Sequence, residues 1–405
     1  MRSPLRVIAL ALVCLGGAAH AHAQQQAGDP FTATRFRFGP LGFTPTLQLS
    51  NLGTDDNVFN EASDPKKDTT AAIGPNVDIV LRAGRSRLVG KAGGQYLYFH
   101  TYDNQRAWNT NVEGTWRFPL VRLVPFVTGR RSNTKDRPGF EIDSRARLDG
   151  RTVTFGTDIN ASSKTTFVLT ASRDWSKYDE NQTFLGIDLG TRLNHHSDIE
   201  QLDARFKLTP LTTFVVRTRA VQDRFDEDVV RNTDSYSVMP GFELQPQALI
   251  SGEVFVGMRR FTTLSGTVPD YSGVVATIRA KYTVAATRLA LNIGRDVSYS
   301  YEQEQPFYVL TDIGGEVTQR ITHVWDVVAR GAKQRLAYKN LVTLPNLPER
   351  VDRPWYAGGG VGYRVGETLR LGFDVNYYRR TMGLTAARNY SGLRLGGSLT
   401  YGLPQ

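Results

Sequence analysis

A chain of 405 residues with a formal net charge of +10 has the length for two or three ordinary domains or for one large all-β domain. Its hydrophobic fraction is 40% and its mean hydropathy −0.33, and no apolar run is long enough for a membrane-spanning helix. Its charges are dispersed, with no basic run interleaved with aromatics, which argues against nucleic acid as a partner.

The N-terminus reads as an export signal. Arg2 and Arg6 form a basic region, Val7–Leu15 an apolar core too short to span a bilayer, and Ala21-His22-Ala23 a small-x-small site. Residues 1–23 are therefore expected to be a signal peptide cleaved between Ala23 and Gln24. Cys14, the one cysteine, lies inside this segment after Val13, where a lipoprotein signal would want a small residue. The mature chain then has no disulfide and no thiolate metal site. Residues 24–40 are a short polar periplasmic lead-in, and residues 41–405 remain for a single barrel.

The first predicted strand, Leu41–Leu52, alternates Phe43, Pro45, Leu47 and Leu49, and a polar loop, Thr54–Asp68, follows it. Thr69–Ala83 and Arg87–Phe99 flank a tight Gly84-Arg85 turn, and Asn109–Phe118 pairs with Leu123–Arg131. A long loop, Ser132–Gly150, precedes Arg151–Asn160 and Thr165–Tyr178. Another, Asp179–Ser197, leads to the hairpin Gln201–Gln222. There Leu202, Ala204, Phe206 and Leu208 alternate with Asp203, Arg205 and Lys207, and beyond Thr209-Pro210-Leu211 the pattern resumes, Phe214, Val216, Thr218 and Ala220 against Val215, Arg217 and Arg219. Period two means strands, since successive side chains point to opposite faces. Further on come Ser235–Leu244, Leu249–Phe261, Tyr271–Thr283, Thr287–Ser300, Phe307–Thr318, His323–Tyr338, Trp355–Val365, Glu367–Arg379 and Tyr390–Gly402.

The count is about 18 strands, with 16–18 within reach of single-sequence boundaries. Connections alternate strictly between short and long, the asymmetry of an outer-membrane barrel with short periplasmic turns and long extracellular loops. The expected fold is all-β: one transmembrane antiparallel up-and-down barrel in the outer membrane of a Gram-negative cell, both termini periplasmic. Aromatics near the long loops (Tyr96, Tyr98, Trp175, Tyr178, Tyr236, Phe261, Tyr271, Tyr299, Trp355, Tyr356, Tyr377, Tyr378, Tyr390) read as an interfacial girdle. A propeller would repeat a four-strand signature, and none is present.

Little here suggests an enzyme. His195-His196 falls in a predicted loop with Asp198 and Glu200 nearby, but adjacent residues seldom converge on one ion without a third ligand placed by the fold. His100 and His323 have no visible serine or acid partner, so no nucleophile–base pair assembles. Neither a cofactor nor a metal site is expected. The useful constellation is lumen-facing. Arg205, Lys207, Arg217 and Arg219 form its densest cationic patch, and Asp203, Glu243 and Glu253 lie on the same face among acids that nearly balance the cations. Arginine rings favour anions, which makes an acidic solute a weak preference. Asp55-Asp56-Asn57-Val58-Phe59 reads as a turn bonding its own backbone; a divalent-cation site is the other reading.

The segment Leu47–Phe59, LQLSNLGTDDNVF, resembles the start of the "Putative beta-barrel porin 2" family, where the first strand ends in an aspartate-rich D-x-N-[VI]-[FY] turn. Members of that family are often outer-membrane components encoded beside exopolysaccharide or capsule machinery, so the resemblance implies polysaccharide export. Implied partners are the bilayer and its lipopolysaccharide, the barrel-assembly machinery and periplasmic export components. Such barrels usually end on an aromatic; here the final-strand signal, Leu399 and Tyr401, is followed by Gly402-Leu403-Pro404-Gln405. The alternatives are a general diffusion porin, with Ser132–Gly150 or Asp179–Ser197 as constriction loop, and an adhesion barrel with a closed lumen.

Overall fold

The computed structural model describes residues 29–382 and 388–402. The predicted signal residues Ala21, Ala23 and Gln24 lie outside them. Eighteen long strands follow one another as antiparallel neighbours: β1 (Leu41–Asp55), β2 (Asp68–Ala83), β3 (Ser86–Phe99), β4 (Ala107–Arg117), β5 (Leu123–Asp136), β6 (Ala146–Asn160), β7 (Thr165–Tyr178), β8 (His195–Thr209), β9 (Thr212–Phe225), β10 (Thr233–Leu244), β11 (Ile250–Thr263), β12 (Tyr271–Val284), β13 (Thr287–Tyr299), β14 (Phe307–Arg320), β15 (Trp325–Lys339), β16 (Trp355–Val365), β17 (Leu369–Arg380) and β18 (Tyr390–Tyr401). The last strand pairs with the first, Leu47 opposite Tyr401 and Leu49 opposite Leu399, so the sheet closes and, among the described residues, its long strands leave no edge unpaired. Short pieces at Phe36–Phe38, Thr183–Phe184, Ile187–Asp188 and Val351–Asp352, and a five-residue helix Leu189–Leu193, decorate the rims. Among the described residues no helix is long and apolar enough to cross a membrane.

The alternation sorts itself as a membrane barrel requires. In the β8–β9 hairpin, Asp203 faces Arg217 across the pair and Phe206 faces Phe214. Phe206, Leu208, Phe242 and Met258 lie exposed on the outer wall at 44%, 52%, 42% and 53%, while Asp203 and Arg219 inside are 2% and 7% exposed. An ordinary globular sheet would bury the first set and hydrate the second; lipid outside and water inside invert that preference. Outward aromatics meet near both rims, Trp116 on Phe118 and Trp325 on Tyr363 at one, Tyr96 on Trp108 and Trp355 on Tyr377 at the other.

Turns at one rim are tight, with Gly84 and Gly366 at positive φ where a side chain would strain the backbone. The other rim carries every long connection. Leu41 pairs near the Gly84 turn and Tyr401 near the Gly366 turn, so both barrel ends sit at the short-turn rim.

Three expectations need correcting. The segment Ser132–Gly150 is mostly strand: β5 runs on to Asp136 and β6 starts at Ala146. Likewise His195 and His196 open β8 and are not in a loop. The strands continue above the bilayer, where no lipid enforces apolar alternation and the sequence signal stops before the hydrogen-bond ladder does. Finally, Tyr178, Phe261, Tyr378 and Tyr390 are not girdle residues but are buried at the mouth, and Tyr271, Tyr299 and Tyr356 pack inside with them, opposite Phe261, hydrogen-bonded to Asp223 and opposite Tyr378 respectively.

Candidate functional site in the barrel interior

The predicted cations and acids meet on the β8–β12 wall. Arg217 grips Asp203 with Nε at 3.0 Å and Nη2 at 2.9 Å, and Arg205 reaches Glu243 at 2.6 Å, which Arg217 also approaches at 3.6 Å. The guanidinium of Arg217 lies over the Phe255 ring, 4.1 Å from its centre, on an apolar floor of Val215, Met239, Phe255 and Val275. Glu253 is claimed by Arg279 at 3.0 Å, a residue the sequence reading passed over although it alternates with Ile278 and Ala280. Arg219 donates to Gln201 at 3.3 Å, and Lys207 is exposed. The expected cationic patch is thus a mixed-sign network, because register puts an acid opposite or diagonal to the arginines.

A second charged wall lines a cavity of about 680 Å³ between β1–β3 and β14–β18. Arg330 pairs with Asp374 at 2.7 Å, Arg394 with Asp55 at 2.8 Å, and Arg370 with Asp326 through Nε at 3.0 Å. Hydroxyls and amides, including Gln48, Ser50 and Asn51, fill the intervals. Such a wall offers donors and acceptors side by side and no field of one sign.

Above both walls the long loops meet across the mouth. Glu141, in the connection after β5, accepts a hydrogen bond from Ser300 at 2.5 Å. Ser300 follows β13, on the far side of the barrel, so residues 137–145 cross the opening. Arg380, fully buried at the end of β17, ties two loops to it: it donates to Asp143 at 2.6 Å and to the Glu141 carbonyl at 3.3 Å in one, and to Asp352 at 2.8 Å in the other. Arg388 holds the other oxygen of Asp143 at 2.9 Å, while Arg350 bridges Asp352 at 3.0 Å and Glu302 at 2.8 Å. Ile142, Phe184, Leu189, Leu193 and Tyr301 pack beside these ions as an apolar seal. Burial pushes the Glu141 carboxyl up to about 7.

A family profile described as "Putative beta-barrel porin 2" matches residues 29–401. The chain belongs to that family. No curated protein matches it. Among solved structures it is similar to the outer membrane protein opdK from Pseudomonas aeruginosa (9% identity, 89% of this chain and 98% of that one, TM-score 0.47) and to OccK3 (OpdO) from the same organism (11%, 89% and 95%, 0.47). It is also similar to the siderophore receptor PirA from P. aeruginosa (9%, 89% and 79%, 0.42).

In this porin-family barrel of the outer membrane, the aspartate-rich turn acts as the latch that closes the wall. Asp55 accepts from its own Asn57 amide at 3.1 Å and from the Tyr378 hydroxyl at 3.1 Å, and it also binds Arg394. Asp56 accepts the Leu393 amide at 2.7 Å. Asn57 donates to the carbonyls of Glu61 and Ser391 at 2.8 and 3.0 Å. Val58 is buried against Ala72, Leu97 and Phe99, and Phe59 meets the edge of Tyr102 at 4.8 Å. Both acids are thus engaged within the turn, by β18 and by Tyr378. Leu399 and Tyr401 complete the same seam from the other side. His195 bonds the Leu193 carbonyl at 2.6 Å and stacks on Phe225, which gives it a packing role.

Proposed function

We propose that this chain is an outer-membrane channel for an extended hydrophilic solute, opened at its outer mouth during passage, and that the solute is an exopolysaccharide or capsular polysaccharide leaving the cell. The carrying observation is a polar, sign-matched interior beneath a mouth held shut by buried ion pairs. A sugar polymer is bound by alternating donors and acceptors, which paired Arg and Asp residues with intervening hydroxyls and amides supply. A wall of one sign would instead retain or repel ions. An eighteen-strand barrel is wide enough for an aqueous channel, and a shut mouth keeps that channel from leaking between cargoes. In this reading the short-turn rim and both termini face the periplasm, where export components deliver the polymer.

The crossing loop favours a second reading, a diffusion porin for small solutes with residues 137–145 as its constriction. A clean deletion separates the two. Lost secreted polysaccharide with unchanged small-solute uptake supports export; lost uptake with normal secretion supports the porin; no change in either leaves a closed-lumen adhesion barrel.

A further inference from the structure

The outer wall is electrostatically lopsided. On the β5–β10 side, most cations above the apolar band are matched: Arg131 and Arg151 pair with Asp149 at 2.7 and 2.9 Å, Arg173 with Asp198 at 2.5 Å, Arg224 with Asp234 at 2.6 Å and Lys177 with Asp226 at 3.0 Å, and the exception, Lys135, donates to the Asn104 carbonyl at 2.7 Å. On the β13–β17 side they are not. Lys333 sits opposite Trp355, and Trp355 opposite Arg379, in one cross-strand row. Arg335 sits opposite Thr311, and Thr311 opposite Arg295. Arg353 is exposed just before β16. Outward positions alternate with inward Asp312, Arg330 and Asp374, so these cations face away from the lumen. Among the described residues, no carboxylate pairs with Lys333, Arg335, Arg353, Arg379 or Arg295, and the outward positions of β13–β17 hold no acid at all.

Same-sign neighbours one or two strands apart, about 5–10 Å, repel one another unless an anion sits between them. Their height names that anion's source. Ile313 stands opposite Lys333, further down the same wall lie the exposed apolar residues Val327, Val361, Phe373 and Val375, and Trp355 stacks near Tyr377 at 5.4 Å as an interfacial anchor. The patch therefore stands where acyl chains give way to headgroups, on the long-loop side. We infer that Arg295, Lys333, Arg335, Arg353 and Arg379 form a binding site for the phosphates of an outer-leaflet glycolipid, with its acyl chains laid on the apolar residues below. This rests on the barrel spanning the outer membrane with its long loops outward; it is independent of the cargo.

The test uses the full-length protein in detergent, with lipid retention read by native mass spectrometry. Diphosphoryl lipid A, dephosphorylated lipid A and phosphatidylglycerol are offered separately to wild type and to Lys333→Ala/Arg335→Ala/Arg379→Ala. Heat-modifiable electrophoretic mobility reports whether each barrel is folded. Wild type should retain diphosphoryl lipid A in preference to both other lipids. The triple variant should lose at least about tenfold of that retention, while Arg173→Ala/Arg224→Ala on the opposite wall keeps it. Equal retention by the folded triple variant would overturn the site. Should that variant not fold, wild type alone decides: equal retention of dephosphorylated lipid A removes the phosphate, and equal retention of phosphatidylglycerol removes the glycolipid.

Discussion

Replacing Arg380 by alanine should unlock the mouth without unmaking the wall. Its guanidinium is wholly buried and holds Asp143 at 2.6 Å and Asp352 at 2.8 Å. Removing one member of a buried ion pair costs about 3–5 kcal/mol, because the partner is left charged and dry. Here both partners keep a second cation, Arg388 on Asp143 at 2.9 Å and Arg350 on Asp352 at 3.0 Å. The lower end, about 3 kcal/mol, therefore applies. The strand ladders make no use of this side chain, so the loss falls on loop closure and shifts the shut-to-open ratio by roughly 150-fold. In planar bilayers the Arg380→Ala protein should show a much larger open probability than wild type, with unchanged heat-modifiable mobility as the measure of an intact barrel. An intact Arg380→Ala barrel with wild-type conductance and open probability would mean that the Arg380 ion pairs do not hold the mouth shut.

Acid should shut the mouth. Glu141 is faced by the Ser300 hydroxyl, Arg350, Glu302 and Arg380, and burial raises its carboxyl from an ordinary 4.5 to about 7. The shut state therefore holds a proton that an opened, hydrated loop releases between those values. Closure is fully favoured below this window and weakens as pH rises through it, by up to about 3 kcal/mol; conductance should be higher at pH 8 than at pH 5, and Glu141→Gln should flatten the profile. Asn57→Ala removes one bond within the first loop, to Glu61, and one that ties the loop to Ser391 on β18, and should lower the temperature at which the barrel unfolds in detergent, by a loss of about 1–3 kcal/mol; an unchanged unfolding temperature would deny the latch. Arg217→Ala/Arg219→Ala leaves Asp203 and Glu243 on that wall, so the reversal potential under a salt gradient should move toward cation preference, and a constant potential would place the network outside the conduction path.

The wall was legible in the sequence because lipid imposes a period. Leu202, Ala204, Phe206 and Leu208 against Asp203, Arg205 and Lys207 fix both the strand and its inner face, and strict turn alternation orders the rest. Pairing across strands was only half legible: the inward acids and cations could be named, but Arg279 with Glu253, or Arg364 near Asp326 at 3.6 Å, follows from register, which a single chain does not display. The mouth was not legible. Ile142, Phe184, Leu189, Leu193 and Tyr301 share no period, and Arg380 meets Asp143 across more than half the chain. The same loss of lipid patterning hid the upper ends of β5, β6 and β8. The D-x-N-V-F turn was visible as a motif, but its role in closing the barrel depends on Ser391 and Leu393, which are far away in sequence.

If polymer leaves through this mouth, tying the mouth shut in cells must stop it. The one native cysteine is Cys14, so a Glu141→Cys/Ser300→Cys variant can be bridged by a short thiol-reactive crosslinker. Secreted polysaccharide is then measured in a strain carrying this variant as its sole copy. Secretion should stop on crosslinking and continue in either single-cysteine strain given the same reagent. Undiminished secretion with a crosslinked mouth would contradict exit by this route.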